Sequence, residues 1–408
     1  MSSKSIWWHL PKLRTDADEH KHRAATPLDL FYDLIFVAII AVLAHELVYH
    51  MEKHPGWHTF GEFFLLFIPV WWVWIGNTYY NERFGTNDVS QRLFTFLQMI
   101  PAAGLAYFAH NGLDPKATVG FALCYAFARA IIVVLWCRGA WYNRVAVPYV
   151  RGLAIGFTIS IILFVVSAFV DPSIRYTLWV IALIIDLVTP MLILKANEQM
   201  PKLSEDHLKE RFNLLTIIIL GETVAGVVGG ASKSHSLSLL TATAGILALL
   251  IACGFWFLYF DQVMKGVSKK GHWPRLLWNY GHLPLVMGWT IFGAGTLAIV
   301  GHADAHVEDP VRWLIAGGSG MGILSLLLIE LSQKGYVDGM ESVKDFRIIR
   351  LVSGLACFGL GFFGHGLNAA WLLGIVFLLV IIQAVYGLYK WVSEVKKKDD
   401  PSNHGWTI

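Results

Sequence analysis

Long apolar runs separated by short polar stretches recur along the chain from residue 28 to residue 391. They fall near 28–50, 59–81, 93–110, 118–137, 152–170, 176–194, 212–231, 238–261, 277–300, 313–331, 351–366 and 370–391. At about 1.5 Å of rise per residue, runs of this length suit helices that cross a ~30 Å hydrocarbon core. The pattern predicts an all-α membrane protein with about twelve transmembrane helices. It leaves no stretch for a soluble domain, the longest polar segments being the two tails and the loop from about 195 to 210.

The same pattern contains an internal echo. Arg92, Leu93 and Pro101 open the third run, and Arg275, Leu276 and Pro284 open the ninth at a constant offset of 183. At nearly that offset Asp29 and Phe31 face Glu210 and Phe212. Trp74 and Tyr79 likewise face Phe255 or Trp256 and Tyr259. The expected organisation is therefore a tail over 1–26, a six-helix repeat over 27–195, a linker over 196–209, a second six-helix repeat over 210–391, and a tail over 392–408. Six is an even number, so the halves share one orientation, as parallel repeats related by an axis along the membrane normal. Ser204, followed by Glu205 and Asp206, reads as the N-cap of the seventh helix.

Composition and charge sharpen this reading. Of 408 residues, 56% are hydrophobic and 15% charged, against roughly 25% charged in a soluble domain. A net charge of +3 is too small to point to nucleic acid. Counting Lys and Arg in alternate loops puts 26 on the side shared by the two termini and 5 on the other, with Arg129 inside a span. By the positive-inside rule both termini are cytoplasmic. The first apolar run lacks a small-residue cleavage site and reads as a retained anchor. Cys124, Cys137, Cys253 and Cys357 show no paired spacing and read as packing residues. No phosphate loop, nucleophile elbow or metalloprotease helix is found, which argues against soluble enzymology and implies no cofactor.

Candidate chemistry lies where charge enters the apolar runs, because an ionisable group in a bilayer is costly and marks a functional site by default. Glu222, Arg129 and Asp186 share one depth near the midplane. Each lies on a helix face with small or polar neighbours, which places it toward protein and, in this reading, between the halves. One interpretation makes Arg129 a brace for one or both acids. The other makes Glu222 a titratable carrier, since two acids against one arginine leave a spare carboxylate. Asp29, Asp33, Glu210, Arg211, Asp261 and His282 gather near the cytoplasmic ends of their helices. There Asp29 and Asp33 either attract cations or bond to neighbouring helix ends, and His282 reads as an interhelical donor. Trp71, Trp72 and Trp74 lie too deep for an interfacial belt and read as packing or as lining of a cavity, whereas Tyr79, Tyr80 and Tyr259 read as belt residues. Glu46, His50, His54 and His58 recur every four residues on the outer side. Pro55 interrupts the run, so a solvated loop is preferred to a metal site.

Five of these segments, in order, carry a resemblance: Pro27-Leu28-Asp29-Leu30-Phe31-Tyr32-Asp33; Trp71 to Trp74 with Asn81 to Asp88; His207 to Thr223; Trp256 to Asp261; and His282 to Leu285. Together they resemble the bacterial low-temperature-requirement A family from about residue 25 to 390. The sequence departs from the family pattern at Asp29, Gly85 and Asn213. The resemblance implies a multipass protein of the bacterial cytoplasmic (inner) membrane, but the family name carries no mechanism. A transporter or channel for an unidentified small solute or lipid, in contact with the bilayer, is the leading expectation. An intramembrane enzyme acting on a lipid or isoprenoid and a non-catalytic factor for growth in the cold are the alternatives.

Overall fold

The computed structural model describes residues 9–14, 26–53, 56–86, 88–112, 114–201, 205–233, 238–303, 306–336 and 343–398. These contain twelve long helices: α1 (Pro27–Lys53), α2 (Trp57–Phe84), α3 (Val89–Ala109), α4 (Pro115–Tyr142), α5 (Val147–Ser167), α6 (Pro172–Leu192), α7 (Glu205–Lys233), α8 (Leu239–Trp256), α9 (His272–Gly301), α10 (Asp309–Leu331), α11 (Val343–Phe363) and α12 (Ala369–Lys398). Eleven of them are long and apolar enough to cross a membrane, α8 together with its continuation to Val263. The exception is α3, whose Gln91, Arg92 and Gln98 dilute its apolar content.

The helices begin where local chemistry satisfies their free N–H groups. Asp88 accepts from the Gln91 N–H, Asp114 from those of Lys116 and Ala117, and Ser238 from that of Thr241. Proline occupies the first turn of α4, α5, α6 and α10, where no intrahelical bond is lost. Large apolar side chains such as Ile155, Ile159 and Ile162 on α5 point outward, as expected where the surroundings are lipid rather than water.

Two local features escape the hydropathy pattern. α8 continues as a π-helical segment over Phe257–Val263. Beyond it, β1 (Gly266–Ser268) pairs antiparallel with β2 (Gln333–Tyr336). A side chain at Gly266 would lie 2.1 Å from Gln333 Oε1, so glycine is what lets the two strands meet.

The chain divides into two compact units, Met1–Leu215 and Thr216–Ile408, and the division falls inside α7. In the first unit α1 packs on α2 and α3, while α3, α4, α5 and α6 pack in series; α2 touches α4 and α6. In the second unit α9, α10, α11 and α12 pack in series, α12 returns to α8, and the π-helical segment touches α10. Small residues permit the closest crossings. A Cβ at Gly318 of α10 would lie 2.7 Å from the Phe292 nitrogen of α9, and one at Gly156 of α5 would meet Thr189 of α6 at 2.1 Å. The Gly318/Gly322 and Gly152/Gly156 pairs thus serve packing within the chain.

Candidate functional site

The densest polar chemistry of the first unit lies where α1 and α3 begin, α2 ends, and α7 sets out. Asp29 opens α1 and accepts from the Thr26 hydroxyl at 2.7 Å and the Thr26 N–H at 3.1 Å. One turn deeper, Asp33 Oδ1 accepts from Trp74 Nε1 and from Arg211 Nη2, both at 2.8 Å. The same guanidinium reaches Asp29 Oδ1 at 3.5 Å. Asn81 of α2 donates to Asp29 at 3.5 Å and accepts from Gln91 of α3 at 2.6 Å, so a line of side chains ties α1 to α2 to α3. Phe212 packs edge-on against Trp74. All three acceptors and Arg211 are buried, so removal of Arg211 would leave the enclosed Asp33 carboxylate without the guanidinium that pairs with it.

Beside it, Glu82 Oε2 lies 2.5 Å from His207 Nδ1 and 3.5 Å from Arg14. Arg83 donates to Asn197 Oδ1 at 3.1 Å and to the Pro201 carbonyl. A strap formed by residues 9–14 closes this end of the unit. The His9 N–H donates to Asp88 at 2.9 Å, the His9 carbonyl accepts from Arg138 at 3.0 Å, and Asn143 both donates to the Pro11 carbonyl and accepts from the Leu13 N–H. The Arg14 N–H completes it by donating to the Arg83 carbonyl at 3.1 Å. Burial pushes the Asp88 carboxyl up. The Ser90 and Thr86 hydroxyls and the His9 and Gln91 N–H groups outweigh that by donating to its ionised form, and bring it down to about 2.

Deeper in the same unit, Arg129 of α4 pairs with Asp186 of α6 at 3.1 Å, both wholly enclosed. Asp186 also accepts from the Tyr125 hydroxyl at 2.5 Å and the Ser160 hydroxyl at 2.8 Å. The guanidinium lies 4.0 Å from the Phe157 ring centre. A Cβ at Gly76 would stand 3.0 Å from Arg129 Nη1, so glycine makes the room for it. The structure therefore brings together Arg129 and Asp186. Glu222 belongs to the second unit, half-buried on the face of α7 that crosses α9: a Cβ at Gly226 would meet the Gly293 carbonyl at 2.6 Å.

Of the remaining candidates, Glu210 is half-buried on α7 next to Arg211. Asp261 pairs with Lys265 at 2.7 Å. His282 bonds to the Trp278 carbonyl through Nδ1 at 2.7 Å, which makes that nitrogen the N–H, and leaves Nε2 to accept from the Tyr259 hydroxyl at 3.1 Å. Tyr259 and Tyr80 are fully buried and so are not belt residues; Tyr80 packs against Phe84 and Trp136 instead. Trp71, Trp72 and Trp74 are buried, and a void of about 10 Å³ lies against Trp71 and Trp74. On the far side Glu46 takes His110 at 2.9 Å and His50 at 3.5 Å. His54 lies outside the described residues. No group of His, Cys, Asp and Glu placed to hold a metal ion occurs among the described residues.

Sequence reasoning missed another enclosed ion pair, in the second unit. Arg350 of α11 lies 3.1 Å from Glu330 of α10 and donates to Gln262 of the π-helical segment at 2.9 Å. Gln262 in turn donates to the Gln383 carbonyl of α12 at 3.1 Å. It also missed Glu82 and His207, although both stand inside segments that carry the family resemblance.

Those segments supply the first unit's network: Asp29 and Asp33 from the first, Trp74, Asn81, Glu82 and Asp88 from the second, His207 and Arg211 from the third. The family model of the bacterial low temperature requirement A protein (LtrA) matches residues 24–385. The chain belongs to this family. An uncharacterized protein of Rhizobium meliloti (strain 1021) is similar to this LtrA-family chain, 26% identical over 311 residues, which cover 71% of each. No solved structure matches it. The helices and the family together make it a multipass membrane protein.

Proposed function

We propose that this LtrA-family protein is a proton-coupled transporter of a small solute in the bacterial cytoplasmic membrane, with Glu222 as its proton carrier. One observation carries the reading. Arg129 gives its charge to Asp186, which two hydroxyls also hold, so that pair is a closed brace. Of the three charges near mid-depth, Glu222 is the one left half-buried, on a helix face of small residues. A group that loads and releases a proton needs that access.

Duplication of six helices supports the reading. In both units the third to sixth helices pack in series and the second meets the sixth. The first meets the third, as α1 does α3 and as Thr223 of α7 does Thr296 of α9 at 3.4 Å. Parallel repeats of this kind occur among transporters, and the excess of basic residues on one side argues for cytoplasmic termini. Lipid chemistry has less support, because Asp29 and Asp33 are buried beside Arg211, away from the bilayer, and Asp261 pairs with Lys265.

Purified protein in liposomes, incubated with a small-molecule extract of cells under an imposed pH gradient, tests this. Wild type should accumulate at least one solute, read by mass spectrometry of the vesicle contents, and only while the gradient lasts. Glu222→Gln should abolish accumulation and leave the thermal unfolding curve in place. Undiminished accumulation by that variant would remove Glu222 from the mechanism, and no accumulation by wild type would end the transport reading.

A further inference from the structure

The first unit contains buried oxygen atoms that the chain itself leaves unused. Asp33 receives both of its donors on Oδ1, and its Oδ2 has none. The Tyr32 hydroxyl and both amide atoms of Asn77 also lack partners. The three side chains are 0%, 0% and 1% exposed, so water at the surface does not serve them. Native proteins seldom leave such groups bare without a bound water, ion or ligand.

Helix register puts these groups at one level. α1 and α2 are consecutive and antiparallel, with Asn81 bonded to Asp29 and Trp74 bonded to Asp33. Trp74, Asn77 and Asn81 are spaced i, i+3 and i+7, so they share a face of α2. Asn77, bracketed by the two bonds, stands opposite the turn of α1 that runs from Asp29 to Asp33, and Tyr32 lies in that turn.

We propose that Asp33, Tyr32 and Asn77 form a binding site for a monovalent metal cation. The donors are a carboxylate oxygen, a phenol oxygen and an amide oxygen, a hard set with neither thiolate nor imidazole, which suits an oxygen-liganded ion. One orphan carboxylate oxygen among neutral donors matches a single positive charge. A divalent ion is ordinarily held by more carboxylate than this. The negative charge of Asp33 turns away anions. The site is independent of the transport reading, since it can be occupied in a protein that moves nothing.

The test is thermal unfolding of the full-length protein in detergent, at constant ionic strength, with choline exchanged stepwise for Na⁺ or for K⁺. A cation that binds the native state raises the melting temperature in a saturable way, and choline is too large to substitute. Na⁺ or K⁺ should do so for wild type, and Asp33→Asn should abolish the dependence. Tyr32→Phe keeps the ring and loses only the oxygen. It should unfold like wild type in choline yet need at least about tenfold more cation for the same shift, the equivalent of one hydrogen bond to a charge. Identical melting in choline, Na⁺ and K⁺ would overturn the site. So would a melting temperature that follows pH but neither cation, because a proton on Asp33 would then fill the place, or a Tyr32→Phe response equal to that of wild type.

Discussion

At the scale of single residues, the clearest device is Asp88. It caps α3, holds the hydroxyls of Thr86 and Ser90, and anchors the strap through the His9 N–H. Its carboxyl sits at about 2 in the folded protein against an ordinary 3.8, so the fold prefers the ionised form. That contribution is complete above about pH 4 and disappears as pH falls from there towards 2. Asp88→Asn should therefore melt below wild type at pH 6, and the gap should close as the pH is lowered through that window. Two parallel melting curves would show that the charge of Asp88 does nothing for the fold. Replacement by Ala should cost about 1 kcal/mol for the lost cap alone, and strap contacts would add to it. Little of this was legible in the sequence, where Asp88 is one polar residue in a short loop and the partner that gives it a second role lies 79 positions away.

Among the helices themselves, what was legible is what a hydrophobic run dictates. Each apolar run became a helix, because backbone groups in a bilayer must be satisfied within their own segment. Helix ends were less legible. α9 begins at His272, five residues ahead of its apolar run, since the helix continues into the polar boundary without needing apolar side chains. The π-helical segment after α8 was not legible at all, because no spacing in Phe257–Val263 demands it; its surroundings do. Gln262 is held from two sides, by Arg350 and by the Gln383 carbonyl, and Arg350 is held by Glu330. Glu330 and Arg350 each stand near the end of an apolar run and read singly as loop charges; only the packing of α10 on α11 joins them. Arg350→Met should cost about 3–5 kcal/mol, because it takes away the guanidinium that pairs with the enclosed Glu330 carboxylate. The double variant Arg350→Met, Glu330→Leu should recover most of that loss. Chemical unfolding of the three proteins decides the matter, and a double variant no more stable than the single would mean that Arg350 acts mainly through Gln262.

For the whole molecule, the consequential fact is that the division between the units falls within α7 rather than in the polar segment before it. The first turns of α7 hold the charges that the first unit needs: Arg211 for Asp29 and Asp33, and His207 for Glu82. The hydropathy pattern shows only that a helix starts after the loop at 195–210, and nothing in it says to which unit that start belongs. A fragment of residues 1–200 holds six long helices, yet it leaves Asp29, Asp33 and Glu82 without their α7 partners. Two buried carboxylates on α1 and one on α2 would then lose their α7 ion pairs together, and breaking a buried pair costs several kcal/mol. A fragment of residues 1–233 keeps all three partners and ends after a complete seventh helix. Expressed alone, 1–233 should insert and elute from size-exclusion chromatography in detergent as a folded species with a cooperative melt, whereas 1–200 should aggregate or be degraded. Adding Asp29→Asn, Asp33→Asn and Glu82→Gln to the shorter fragment removes the charges that α7 pairs in the full protein and should rescue part of its yield. Equal behaviour of the two unmodified fragments would show that the first six helices fold without α7, and that its ion pairs form only after the unit is built.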